Sequence, residues 1–170
     1  MKKKYNNIII MLISIPLRYI PKGLNKKDRK IVKSELLKSR KMYKRGKYYD
    51  RKKVKTYKSK KSLHVNKVKR MYNKKEILKE TGCSKKGLNE IKRRGMGAYY
   101  SSGSRPNQTA ESWGEARVAS AITGGKAATV DIDLIKKHCK KSGKAYIEAM
   151  KAVKKYGTGR NQTRKIKIKI

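Results

Sequence analysis

Ser101, Ser102, Ser104, Arg105 and Gln108 gather four hydroxyl or amide donors and one guanidinium around Gly103, within the stretch SSGSRPNQ. Such a loop can hold a phosphate, because glycine leaves the backbone free to aim successive N–H groups at an anion. The chemistry stops at binding. No paired carboxylates, general-base histidine or metal-ligand cluster stands beside the loop in the sequence, and SSGSRP lacks the terminal Gly-Lys-Ser/Thr of a P-loop. No catalytic residue is assigned, and the chain is expected not to be an enzyme. Cys83 and Cys139, with His64 and His138, offer four ligands but no CxxC or HxxxH spacing, so neither a metal site nor any other cofactor is expected. Two isolated cysteines are read instead as reduced thiols of a cytosolic, nuclear or virion-interior protein.

A second chemistry is the capture of a polyanion. From Lys38 to Lys75 the chain carries 18 Lys or Arg and one Asp, with tyrosines at 43, 48, 49, 57 and 72. The candidate phosphate contacts are Lys38, Arg40, Lys41, Lys44, Arg45, Arg51, Lys52, Lys53, Lys55, Lys58, Lys60 and Lys61. Cations supply affinity through counterion release, and interleaved aromatic rings can stack on exposed bases. A third pattern, EILKETGCSKKGLNEIKRRG at residues 76–95, is similar to the helix-turn-helix of small repressors. There Gly82 tolerates the turn, Ser84 caps the second helix, and Lys85, Lys86 and Asn89 would meet base edges while Lys92, Arg93 and Arg94 meet phosphates. Leu78 stands where a small residue usually lets the helices approach, and Gly87 interrupts the second helix at a cost near 1 kcal/mol relative to Ala. A plain helical hairpin with a basic face accounts for the same residues.

The elements that must position these groups follow from composition and periodicity. Of 170 residues, 50 are Lys or Arg and 11 are Asp or Glu, a formal charge of +39; Leu, Ile and Val number 32 and Phe is absent. So thin an apolar content with so much like charge predicts a small folded domain plus a long extension. The excess is uneven: +20 lies in residues 26–75, and residues 96–125 sum to zero. The start, MKKKYNNIIIMLISIPLRYIP, imitates a signal peptide, but it has no small-x-small cleavage site and is too short to span a membrane, so a buried strand or docking segment is expected.

Asn25-Lys-Lys-Asp28 predicts a capped basic helix that stops at Gly46, carrying Ile31, Val32, Leu36, Leu37, Met42 and Tyr43 inward. Residues 47–61 read as extended, solvated chain, and a second helix is expected over 62–72. Asn73 to Glu76 reads as another capping box, with Gly82 ending a short helix. Ser84 opens a helix stopped by Gly95. Thr109 opens one on which Trp113, Ala116, Ser120 and Thr123 share a face until Gly124-Gly125. Asp131 opens one, with Leu134 and Ile135 inward, that ends at Gly143. The last, over about 144–156, would turn Ile147, Met150 and Val153 inward. The tail RKIKIKI alternates with period two, as an edge strand does.

The neutral stretch holds the one Trp and reads as a packing centre: Ala116, Ala119, Ser120 and Ala121 permit close helix approach, Trp113 supplies bulk, and Arg117 can bridge to Asp131, Asp133 or loop carbonyls. Trp113, Arg117, Gly124 and Gly125 are its expected structural residues. Tyr99-Tyr100, the loop from Ser101 to Pro106, Asn107-Gln108-Thr109, Trp113, Ala116-Arg117, Ser120, Thr123-Gly124-Gly125-Lys126 and Asp131 resemble an uncharacterised domain family of large DNA viruses of algae and amoebae, with shorter relatives in tailed phages. The stretches RYIPKGLNKKDRK, KSRKMYKRGKYY and RKKVKTYKSKKS extend the likeness over about Arg18 to His138. The resemblance implies a viral origin and no established activity.

The expected architecture is mainly α: a small helical domain containing a helix-turn-helix-like hairpin, a long basic N-terminal extension and a short C-terminal strand. Residues 1–24 form the apolar segment, either a docking strand or an uncleaved signal-like sequence. Residues 25–72 form the nucleic-acid-binding extension with two amphipathic helices, 73–157 the compact domain and 158–170 the basic tail. The expected function is non-enzymatic binding of nucleic acid, DNA ahead of RNA, to package or organise viral DNA in the virion or in a nuclear or cytoplasmic replication compartment. The alternatives are a minor virion structural protein whose partners are capsid proteins, and a helix-turn-helix transcription regulator.

Overall fold

The computed structural model describes residues 12–54, 63–73, 75–159 and 165–169. Strand β1 (Leu12–Pro16) runs into a short 3-10 turn at Leu17–Tyr19, and eight helices follow among the described residues: α1 (Lys26–Lys44), α2 (Leu63–Met71), α3 (Ile77–Thr81), α4 (Lys85–Ser101), α5 (Ala110–Ile122), α6 (Lys126–Val130), α7 (Ile132–His138) and α8 (Lys144–Tyr156). Strand β2 (Lys165–Lys169) closes the order by pairing antiparallel with β1, Ile15 opposite Ile166 and Ile13 opposite Ile168. The fold is mainly α, as expected. The apolar start and the alternating tail, 150 positions apart in the chain, meet as the two strands of one ribbon. No described helix is long and apolar enough to cross a membrane.

Several helix starts follow directly from side-chain chemistry. Asn25 Oδ1 accepts from the Asp28 N–H at 2.7 Å, and Ser84 Oγ accepts from the Gly87 N–H at 3.1 Å. Thr109 and Ser112 cap each other reciprocally, each side chain accepting the other's backbone N–H, at 3.1 and 3.0 Å. Each of these bonds satisfies a donor that the first helical turn leaves orphaned. Asn73 departs from expectation: its side chain accepts from Lys75 in a tight turn, and α3 begins without a side-chain cap.

Helix α4 runs through Gly95 and Gly97 to Ser101, two turns past the stop expected from its glycines. The physical reason is the neighbour. A Cβ on Gly95 would lie 2.6 Å from the Cα of Gly114, so the two glycines are where α4 and α5 cross backbone to backbone. Gly87 has the same explanation: a Cβ there would meet the His138 side chain at the end of α7. The propensity cost of glycine is offset by an approach no other residue allows.

The core is built around this α4–α5 pair and is rich in alanine. Ile91, Ala121, Ala128, Leu134, Ile135, Ala149 and Ala152 form one cluster, and Tyr72, Cys83, Ile122 and Ala145 a second beside it. Two expectations change here. Helix α7 ends at His138, ahead of Gly143, and α8 buries Ala145, Ala149 and Ala152 while Ile147 and Met150 stay exposed. The packing distance selects alanine, since a close neighbour leaves no volume for the larger side chains.

The long basic N-terminal extension is not confirmed. Ile15, Tyr19, Ile20, Leu24, Val32, Leu36 and Val54 form a third cluster, against which Trp113 of α5 packs. The Trp113 ring meets Tyr19 edge-on at 5.9 Å. Residues 47–54 form neither helix nor strand, yet they are anchored rather than solvated throughout: Val54 is buried and its N–H donates to the Pro106 carbonyl at 3.3 Å. Ile15, Tyr19, Ile20 and Leu24, with Val32, Leu36 and Val54 supplied from beyond them, suffice for a small core once Trp113 packs against it.

Candidate nucleic-acid interface

The serine loop is a joint. Ser104 is buried; its hydroxyl accepts from Arg51 Nη2 at 2.7 Å and donates to the Arg105 carbonyl at 2.9 Å. The Ser102 carbonyl accepts from Arg40 Nη2 at 2.7 Å, and the N–H groups of Ser102 and Gly103 both donate to Ala98. Gly103 has φ +100°, and a Cβ there would strike Leu36, Arg51 and Tyr19, so the concave side of the loop is filled by this chain. Gln108 accepts from Ser112 at 2.9 Å; Ser101 is half-buried and Arg105 exposed. Of the groups expected to hold a phosphate, Ser102 and Ser104 hold α1 and the 47–54 segment instead.

Arg40 and Arg51 are therefore structural cations. Arg40 also reaches the Ser14 carbonyl at 3.5 Å, its Nε is buried without a partner among the described residues, and burial lowers its pKa. Arg51 lies 3.9 Å from the centre of the Tyr99 ring. Both correct the expectation of free phosphate contacts, because a guanidinium carries five donors and a buried loop supplies the acceptors.

The hairpin divides in the same way. Helix α3, a turn with Gly82 at φ +70°, and α4 stand in helix-turn-helix order. Lys85, Lys86 and Asn89 are exposed on the first turns of α4. Lys92 is paired with Glu111 at 2.8 Å and Glu115 at 3.5 Å, and the hydrogen bond from Lys92 holds the Glu111 carboxyl below its usual range. Arg94 grips Asp133 with two bonds of 2.8 and 2.6 Å and reaches Asp131 at 3.3 Å, which raises the Arg94 pKa. Of the three consecutive cations only Arg93 is exposed with no ion pair among the described residues.

Arg117 meets a carboxylate as its position suggested. Its Nε and Nη2 donate to Asp131 at 2.7 and 2.8 Å, and Asp131 is fully buried. Beyond Thr123, Gly124 has φ +68°, and a Cβ on Gly125 would strike His64 and Ser120. Helix α2 and the residue after it close the end of α5 with three side chains: Lys67 and Tyr72 donate to the carbonyls of Thr123 and Ile122 at 2.9 and 2.7 Å, and His64 Nδ1 lies 3.0 Å from the Thr123 hydroxyl. That hydroxyl donates to Ala119, so His64 supplies the proton of its own bond.

The cysteines are not free thiols. Cys83 and Cys139 form a disulfide that ties the turn before α4 to the end of α7, flanked by backbone bonds from Ser84 to His138 and from Lys140 to Gly82. Lone spacing in the sequence concealed a pairing that only the return of α7 creates. Among the described residues no group of three His, Cys, Asp or Glu could hold a metal ion.

What remains for an outside anion is the surface of α1 and of the segment after it, residues 47–54. Residues 12–54 hold sixteen Lys or Arg and three acids. The acids are engaged: Asp28 with Asn25, Glu35 with Tyr49 and the Lys52 N–H, Asp50 with Tyr100. Lys41, Lys44, Arg45, Lys52 and Lys53 are exposed, as is Lys38, whose ammonium lies 4.4 Å from the Tyr49 ring centre. Every ion pair among the described residues lies between Lys67 and Lys151. Lys55, Lys58, Lys60 and Lys61 lie outside the described residues.

A family model described as a family of unknown function, DUF5824, matches residues 16–139 of this chain. No curated protein and no solved structure matches it. The match begins at the end of β1 and ends at the disulfide, so it takes in α1, the serine loop and the Arg117–Asp131 pair.

Proposed function

We propose that this chain, which belongs to the DUF5824 family of unknown function, is a non-enzymatic nucleic-acid-binding protein of a large DNA virus, packaging or organising viral DNA in the virion or the replication compartment. The observation that carries the reading is the segregation of ion pairs. Every ion pair among the described residues lies within residues 67–151, which set eight acids against twenty Lys or Arg, whereas residues 12–54 hold sixteen cations and three acids and make none. An array of unpaired lysines on one helix and the segment that follows it repels itself, and a polyphosphate backbone relieves that repulsion. The viral setting rests on the likeness of the neutral stretch and its upstream basic segments to viral relatives.

A salt titration of binding to a random-sequence duplex tests it. Contact with about six phosphates predicts a loss of affinity on the order of 10³-fold between about 50 and 200 mM salt. Affinity that does not change over this range refutes the reading.

A second reading, a minor structural protein of the virion, is favoured by the α8 face on which Ile147 and Met150 are exposed, a place for a capsid partner. Fractionation of disrupted virions separates the two. Co-purification with the genome supports the first and with emptied shells the second.

A further inference from the structure

Four tyrosines lead from the core to the solvent. Tyr99 is buried under Arg51 and meets Tyr100 edge-on at 5.0 Å; Tyr100 meets Tyr48 at 5.0 Å; Tyr48 meets Tyr43 at 6.1 Å. Exposure rises along the run from 2% at Tyr99 to 73% at Tyr48, with 37% at Tyr43. The inner rings are fixed: the Tyr99 hydroxyl accepts from the Arg51 N–H at 3.4 Å, and the Tyr100 hydroxyl donates to Asp50 at 3.2 Å. Burial and then Asp50 push the Tyr100 phenol up to about 12, so it stays a neutral donor. Tyr48, the most exposed, meets the rings of Tyr43 and Tyr100 among the described residues and leaves most of its surface to solvent.

The surroundings of that ring are cationic. Lys44, Arg45 and Lys47 are exposed at the end of α1, where the chain reverses at Gly46 with φ +74° and brings Tyr48 back against Tyr43. From α4, a Cβ on Gly97 would lie 3.9 Å from the Tyr43 hydroxyl. Arg93, exposed and without an ion pair among the described residues, lies one helical turn before Gly97 on the stripe that continues to Tyr100. The contact between α1 and α4 thus joins the two basic regions at one aromatic cluster. Asp50 is the acid beside it, and its carboxylate is engaged by Tyr100.

We infer that Tyr48, with Tyr43 and Tyr100 behind it, is a stacking platform for the bases of single-stranded nucleic acid, whose phosphates are held by Lys44, Arg45, Lys47 and Arg93. The inference rests on the nucleic-acid reading above and adds strand preference to it. A duplex offers its phosphates to the same cations but keeps its base faces stacked, so it gains nothing from the ring. A partially unpaired or single strand gains both.

The test is fluorescence anisotropy with the full chain, at fixed salt, using an oligo-dT strand of about 15 nucleotides and a duplex of the same length. Tyr48→Ala is expected to weaken single-strand binding about 5- to 150-fold, the span of one lost base stack, and to leave duplex binding within about threefold. Tyr48→Phe is expected to bind both like the parent, because the platform needs the ring and not the hydroxyl. Equal losses for strand and duplex, or no loss for either, overturn the platform while salt-dependent binding by the parent keeps the basic-surface reading. A parent protein that binds neither probe overturns both. Thermal unfolding of each variant at the parent's temperature confirms that the fold is unchanged.

Discussion

Replacing Arg117 with methionine probes the one acid that the described structure buries completely. Asp131 accepts three bonds, two from Arg117 at 2.7 and 2.8 Å and one from Arg94 at 3.3 Å. Methionine keeps most of the arginine's apolar stem and removes its charge, so the change isolates the ion pair from the packing. Arg94 cannot take over. Its guanidinium is already held in a bidentate grip by Asp133, and its side chain is 43% exposed. A buried carboxylate would then face solvent-poor surroundings with one long bond, a situation that costs about 3–5 kcal/mol. For a chain of this size that corresponds to a fall in melting temperature of about 6–20 °C.

Urea unfolding followed by circular dichroism, on parent and variant, measures the difference. Arg117→Met with Asp131→Leu should recover most of the loss, since both charges leave together. A loss below about 1 kcal/mol, or a double variant no more stable than Arg117→Met alone, refutes the assignment of Asp131 as a buried, charge-dependent anchor.

Reduction of the Cys83–Cys139 bond, or Cys139→Ser, releases a closure spanning 56 positions, worth about 4 kcal/mol by the chain-entropy relation; a denaturation midpoint indifferent to reductant contradicts the bridge. Burial and then Lys67 hold His64 below the ordinary imidazole value. Its folded form is therefore the less easily protonated one, and its contribution to stability is complete above about pH 6.5 and declines as the pH falls through the lowered value. His64→Gln should flatten that part of the stability profile, and an unchanged slope in the variant would exclude His64 as its source.

Much of the architecture is legible from local chemistry. Asn25, Ser84 and Thr109 cap helices where their side chains can reach the third residue on, and the KIKIK alternation becomes a strand. The Arg117 partner was among the acids that spacing suggested, because a guanidinium on a helix of small residues has few carboxylates to choose from. Other features are illegible for one shared reason: they belong to a neighbour distant in sequence. Gly95 ends no helix because Gly114 lies against it. Ile147 and Met150 face solvent because the tight contact selects the alanines of α8.

By itself the sequence determined the segregation of charge, the helical class and the main capping points, since composition and side-chain reach act over a few residues. Only the tertiary structure decided which cations are free. Lys92, Arg93 and Arg94 are neighbours of the same type, yet two are spent on acids from α5 and α7 while the third faces outward beside the tyrosines. Arg40 and Arg51 read as surface charge until the serine loop closes over them. A charge can be counted along a chain, but whether it is neutralised depends on which carboxylate or carbonyl folding brings within about 3 Å of it.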